Sequence, residues 1–135
     1  MEQNHINGIR SELKAMEYFN SLGYQIYTPI NAQSRADFVY DNGEKLVKVQ
    51  VKTATWSISG NYSYLQCRLK SRNDYSKMYK DGDFDEIVFV DNDRLWVASW
   101  EEVKNKTSIC LDCNRPDYKP NSKTYNPEDW LVTAH

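Results

Sequence analysis

Apolar residues Ile9, Leu13, Met16, Phe19 and Leu22 recur at steps of three and four, the period of one helix face. Gly23 follows where a left-handed residue closes a helix, so the spacing predicts an amphipathic helix from Asn7 or Gly8 to Leu22. Residues 24–27 read as a short strand, stopped by Pro29. The period then drops to two. Residues 37–41 and 44–53 flank Asn42-Gly43, a dipeptide suited to a two-residue hairpin turn. Such a turn sets Asp41 opposite Glu44 and Asp37 opposite Lys48. Alternation then sorts the hairpin into a core face of Phe38, Tyr40, Val47, Val49 and Val51, and a polar face of Asp37, Lys48, Gln50 and Lys52.

Further on, residues 62–69 form a third extended run, and 71–82 are polar and irregular, with a helical turn expected around 74–79. Residues 86–90 and 94–98 flank Asn92-Asp93 as a second hairpin. Ser99 stands as the cap of a short helix over 100–104, with Glu102 completing a capping box. Beyond Asn105, Pro116, Pro120 and Pro127 punctuate a tail expected to be irregular, closing with one helical turn at 127–131. This order predicts a mixed α/β chain of one domain over 1–135: a sheet flanked by helices in a core of about 8–104, and a C-terminal extension over 105–135.

Hydrophobic residues at 40% and aromatics at 13% exclude a disordered chain. No apolar run approaches the roughly 18–20 residues of a membrane span, so no membrane partner is expected. Three cysteines in a chain able to build a core point to a reducing, cytoplasmic setting. The net charge of −2 argues against a nucleic-acid partner until its distribution is considered. Between Glu44 and Lys80 eight Lys and Arg face two acids; between Asp81 and Val103 eight acids face Arg94 alone. The basic stretch suits a phosphate-facing surface, whereas the acidic one reads as a solvated face turned away.

The polar face of the first hairpin carries the chemistry. A hard divalent cation takes oxygen ligands and keeps several waters, so Asp37, the Gln50 amide oxygen and the Val51 carbonyl suit it. Lys52 beside them suits positioning a water or stabilising charge on a phosphate in its transition state. The plainer alternative is an exposed polar face of an antiparallel hairpin. Cys110 and Cys113 form a lone C-x-x-C whose further candidate ligands are only Cys67, His5 and His135, so they read as incidental. No nucleotide-binding loop is present, and two histidines near the ends leave little room for His-based catalysis.

Asp37 followed across a hairpin by Gln50-Val51-Lys52, behind a helix and a strand, resembles the PD-(D/E)XK nuclease core with Gln in the (D/E) place. The stretches SRADFVY and VKVQVKTA are similar to the small PD-(D/E)XK endonucleases associated with group I introns, in which a Gln-x-Lys version occurs. The resemblance is strong over about 8–55 and loose downstream. It implies a Mg²⁺-dependent (or Mn²⁺-dependent) double-stranded DNA endonuclease, of homing type, acting at a long target as a dimer or tetramer without a nucleotide cofactor. It implies that Glu12 joins Asp37, Gln50 and Val51 at the metal and that Lys52 is catalytic. Ser34, Arg35, Lys48, Thr53, Arg68, Lys70 and Arg72 would contact DNA. Ala36 in place of the motif Pro is of little chemical consequence; Gln50 in place of a carboxylate removes one negative charge from the metal site. A Holliday-junction-type resolvase, a restriction-like nuclease, or a non-catalytic DNA-binding module on this core remain alternatives.

Overall fold

The computed structural model of the chain describes residues 3–31, 33–69, 79–116 and 125–132. A long helix, α1 (Gln3–Ser21), leads into β1 (Gln25–Tyr27), β2 (Phe38–Asp41) and β3 (Leu46–Thr53). There follow β4 (Thr55–Ser59), β5 (Tyr62–Arg68), β6 (Glu86–Asp91), β7 (Arg94–Ser99), α2 (Trp100–Val103), β8 (Ser108–Cys113), a 3₁₀ turn at Pro127–Asp129, and β9 (Leu131–Val132). Six strands form a mixed sheet in the order β1-β2-β3-β6-β7-β9, antiparallel throughout except for the parallel pair β3–β6. The other three form a second, antiparallel sheet in the order β4-β5-β8. The mixed α/β architecture expected from the sequence is present. No helix among the described residues is long and apolar enough to cross a membrane.

The first hairpin forms, but its turn is wider than expected. Asp41 pairs with Leu46 and Phe38 with Val49, leaving a four-residue loop over 42–45. Side chains account for the difference. The Asn42 carboxamide oxygen accepts from the N–H groups of Glu44 (2.9 Å) and Lys45 (3.0 Å), and the Asp41 carboxylate accepts from Gly43 (2.8 Å). These bonds satisfy loop amides that a tighter turn would direct into the ladder, and Gly43 supplies the required positive φ of 93°. The register moves by two, so every residue keeps its face. Asp37, however, now lies across from Gln50 rather than Lys48.

α1 begins earlier than the predicted Asn7 or Gly8, and its buried stripe is rotated. Ser11, Ala15 and Phe19 face the sheet, while Ile9 and Leu13, placed in the stripe by periodicity, are 40% and 57% exposed. Small side chains at 11 and 15 let the helix axis approach the strands closely. Phe19 stacks on Tyr40 with ring centroids 4.4 Å apart, and Ala15 and Phe19 cluster with Phe38, Val47, Val49 and Val88. Gly23 closes the helix at φ 87°, as its position predicts.

The opposite face of the large sheet is covered mainly by the second sheet, with Val103 of α2 and Trp130 after the 3₁₀ turn packed beside it. Ile87, Phe89, Trp96 and Ala98 pack there against Leu65, Cys67, Ile109 and Leu111. The expectation of an irregular tail fails at β8: the alternating Ile109 and Leu111 are buried, and the strand lies along β5. β4 was also unforeseen, since all five of its residues are exposed and carry no burial pattern. The second hairpin and the Ser99 capping box form as predicted, and Pro127 opens a single 3₁₀ turn. The expected turn around 74–79 lies, save Tyr79, outside the described residues.

The acidic stretch is not a plain solvated face. Asp81 accepts from the Trp100 indole (2.7 Å), Asp83 from the Lys80 amide (2.8 Å) and Asp85 from the Lys48 amide (2.9 Å). Glu86 accepts from the Tyr40 hydroxyl (2.6 Å), Glu102 from Ser99 and Trp130, and Asp91 pairs with Arg94. Arg94 also reaches Asp112 of β8 at 2.9 Å, fastening the two sheets together.

Candidate metal centre

β2 starts only at Phe38, so past Val49 the adjacent edge of β3 has no strand beside it. Asp37 continues the ladder by other means. Its N–H donates to the Val49 carbonyl (2.8 Å), and its Oδ2 accepts the Val51 N–H (2.7 Å). In an extended residue the N–H and C=O point to the same edge, so the Val51 carbonyl faces this gap as well. It accepts from the Gln50 carboxamide nitrogen at 3.2 Å. α1 closes the gap from one side, and the result is a cleft of about 250 Å³ bounded by Gly8, Glu12, Asp37, Gln50, Val51 and Thr53. A neighbouring cleft of about 280 Å³ includes Ser34 and shares Glu12 and Asp37, which stand between the two.

Burial and Asp37 together perturb the Glu12 carboxyl. Burial raises the Glu12 pKa from its ordinary 4.5 to about 7, helped by a hydrogen bond to Asp37 that only the protonated form can donate, and by the nearby Asp37 charge. Glu12 therefore holds its proton more tightly in the folded chain than in the unfolded one. Its contribution to stability is fully present below about pH 4.5 and is lost as pH rises through about 7. The expected result is a melting temperature of the metal-free protein that falls between about pH 5 and 8, a fall flattened in Glu12→Gln. Thermal melts across that range test it, and an equal fall in the variant would remove Glu12 as the cause.

The groups here that could ligate a metal, the Glu12 and Asp37 carboxylates, the Gln50 amide oxygen and the Val51 carbonyl, are oxygen donors, which suits a hard cation that keeps much of its own water. Among the described residues no three His, Cys, Asp or Glu side chains come together. That donor set does not suit a soft metal fully enclosed by protein. Of the predicted site residues, Glu12, Asp37, Gln50 and Val51 meet at this cleft.

Lys52 is one step along β3, on the same side as Gln50, with its ammonium 5.4 Å from the centre of the Tyr79 ring. Arg35 lies over that ring too, at 5.8 Å. Thr53 lines the cleft, but its hydroxyl bonds that of Ser11 at 2.7 Å. Lys48 is not brought to the cleft; its ammonium donates to the Gly82 carbonyl. Ser34 and Arg68 are exposed, and Lys70 and Arg72 lie outside the described residues. Sequence reasoning missed Ser11 and Tyr79. Neither carried a signal: Ser11 falls outside the stripe that hydropathy marks, and Tyr79 lies in a polar stretch with no motif.

A family model described as PD-(D/E)XK endonuclease matches residues 2–132. Protein 5.3 of Escherichia phage T7 is 38% identical over 111 residues, covering 82% of this chain and 92% of that protein. Among solved structures, the bacterial homing endonuclease I-Ssp6803I superposes with a TM-score of 0.76 at 18% identity, over 96% of this chain and 91% of that one. At that identity the likeness is one of fold.

Proposed function

This chain belongs to the PD-(D/E)XK endonuclease family, and on that premise we propose that it is a divalent-metal-dependent endonuclease of double-stranded DNA. The observation that carries the reading is the Asp37 side chain, bound to the Val51 N–H at 2.7 Å and so fixed beside the Val51 carbonyl, Gln50 and Glu12. Held by these four groups, Mg²⁺ or Mn²⁺ would supply Lewis acidity at the phosphate and activate a water for attack on phosphorus. Gln50 has a specific task. Its nitrogen now donates to the Val51 carbonyl, so to hold a cation the carboxamide would have to turn over, presenting its oxygen and freeing that carbonyl. Glu12 would join them as a carboxylate, without the proton that burial and Asp37 favour in the metal-free protein. Lys52 stabilises the charge that builds on the phosphoryl oxygens.

The fold shared with a homing endonuclease supports a long target site of homing type. A chain of this size cannot cover such a site or cut both strands alone, which favours a dimer or tetramer.

The test is cleavage of duplex DNA in Mg²⁺ against EDTA, with a linear uninterrupted target and a four-way junction compared. Metal-dependent cutting of the linear duplex is expected; intact DNA in both Mg²⁺ and Mn²⁺ would overturn the reading. Gln50→Glu restores a carboxylate and is expected to move the Mg²⁺ titration of cleavage to lower concentration. An unmoved titration would remove the Gln50 side chain from the ligand set.

A further inference from the structure

A third cleft, of about 230 Å³, lies on the other flank of α1. Arg10 and Lys14 line it from the helix, Thr53 and Thr55 from the β3–β4 run, and Asp91 and Asn92 from the second hairpin. The hydrogen-bonded pair Ser11–Thr53 separates it from the metal cleft, and Thr53 lines both. Ser11 is 4% exposed, so this partition is part of the helix–sheet contact. At about 100° per residue, Glu12 projects to one side of Ser11 and Arg10 to the other, while Lys14, four residues on, joins Arg10.

The charge balance of this cleft is positive. Arg10 is exposed and forms no ion pair among the described residues. Lys14 is held by the Asn92 carbonyl at 2.5 Å and lies 3.6 Å from Asp93, a side chain 96% exposed and therefore weakly held. Asp91, the one carboxylate in the wall, is committed to Arg94 at 3.0 Å. Two cations and two threonines thus line a space of polar character, next to a site whose own carboxylates repel phosphate.

We propose that this cleft binds a phosphodiester of the duplex away from the scissile one, with Arg10 and Lys14 as its anchors. The proposal rests on the reading of the chain as a DNA endonuclease. Arg10 offers a planar fork matched to two phosphate oxygens, and Lys14 a point charge oriented by its bond to Asn92. Together they set where the strand runs relative to Asp37.

The experiment measures binding of a fluorescent duplex by the full chain across a NaCl series, with Ca²⁺ in place of Mg²⁺. The slope of log K against log salt is expected to flatten in Arg10→Ala/Lys14→Ala, by about 0.9 for each lost contact. Arg10→Lys, which keeps the charge, should keep most of the slope. Thermal melts establish that the variants fold, and Arg10→Gln alone, an exposed change, stands in if the double variant does not. An unchanged slope against a steep wild-type slope overturns this site and leaves the endonuclease reading standing. A wild-type chain that binds no duplex overturns both. Stabilisation by inorganic phosphate that the double variant loses, with its duplex slope unchanged, identifies a free-anion site and also overturns the proposal.

Discussion

Asp37→Asn is expected to lower cleavage at least about 10³-fold while leaving the fold and duplex binding nearly intact. Metal Lewis acidity contributes several kcal/mol to phosphoryl chemistry, and each 1.36 kcal/mol is a decade in rate. Asn keeps an oxygen for the Val51 N–H, which Asp37 now meets at 2.7 Å, and loses only the charge that holds a cation. Asp37→Ala loses both. It leaves a backbone donor of β3 without its partner, so about 1–3 kcal/mol of stability should go with the activity. Paired single-turnover rates and thermal melts separate the two effects. Asn at position 37 with wild-type cleavage would place the metal elsewhere.

Lys52→Ala should cost about 10²–10³ in the cleavage rate, the range for removing one group that stabilises transition-state charge. Its Mg²⁺ titration should not move, because Lys52 contributes no oxygen to the cleft. Stability should change by no more than about 1 kcal/mol, the scale of the cation–π contact with Tyr79. Lys52→Arg divides the possible roles. If the ammonium acts only through its charge, the guanidinium restores part of the rate; if it passes a proton, Arg cannot, since it stays protonated. Full activity of Lys52→Ala at saturating Mg²⁺ would dismiss the residue from the mechanism.

The faces of the first hairpin were legible because side-chain period in a strand is two, and a register error of two leaves it intact. Hence Asp37, Gln50 and Lys52 could be grouped before their pairing was known. The loop length was not legible, because Asn42 works there as a hydrogen-bond acceptor for two amides and not merely as a turn former. The helix stripe was misplaced for a related reason: hydropathy favours Ile9 and Leu13, but contact with a sheet favours the small Ser11 and Ala15. β8 escaped notice because Ile109 and Leu111 offer only two apolar positions, beside prolines that signal loop. The Val51 carbonyl could be named as a candidate donor from its place in the hairpin, but that it faces the gap depends on where β2 stops.

The route of the chain through the two sheets has a consequence for modularity. β1 to β3 build the large sheet, β4 and β5 the small one, β6 and β7 return to the large, β8 goes back, and β9 ends in the large sheet again. Four connections thus pass between layers, the first spanned by Ala54 alone. Neither layer corresponds to a contiguous stretch of gene. A recombination event or a designed graft that exchanged one sheet would need several separate segments, and shortening the chain after Lys104 strips a strand from each layer at once. The uncovered surface would include Leu65 and Cys67 on one side and the flank of Trp96 on the other. The hairpin that carries Asp37 and Gln50 and the C-terminal strands are therefore inherited together, although they lie in different parts of the sheets.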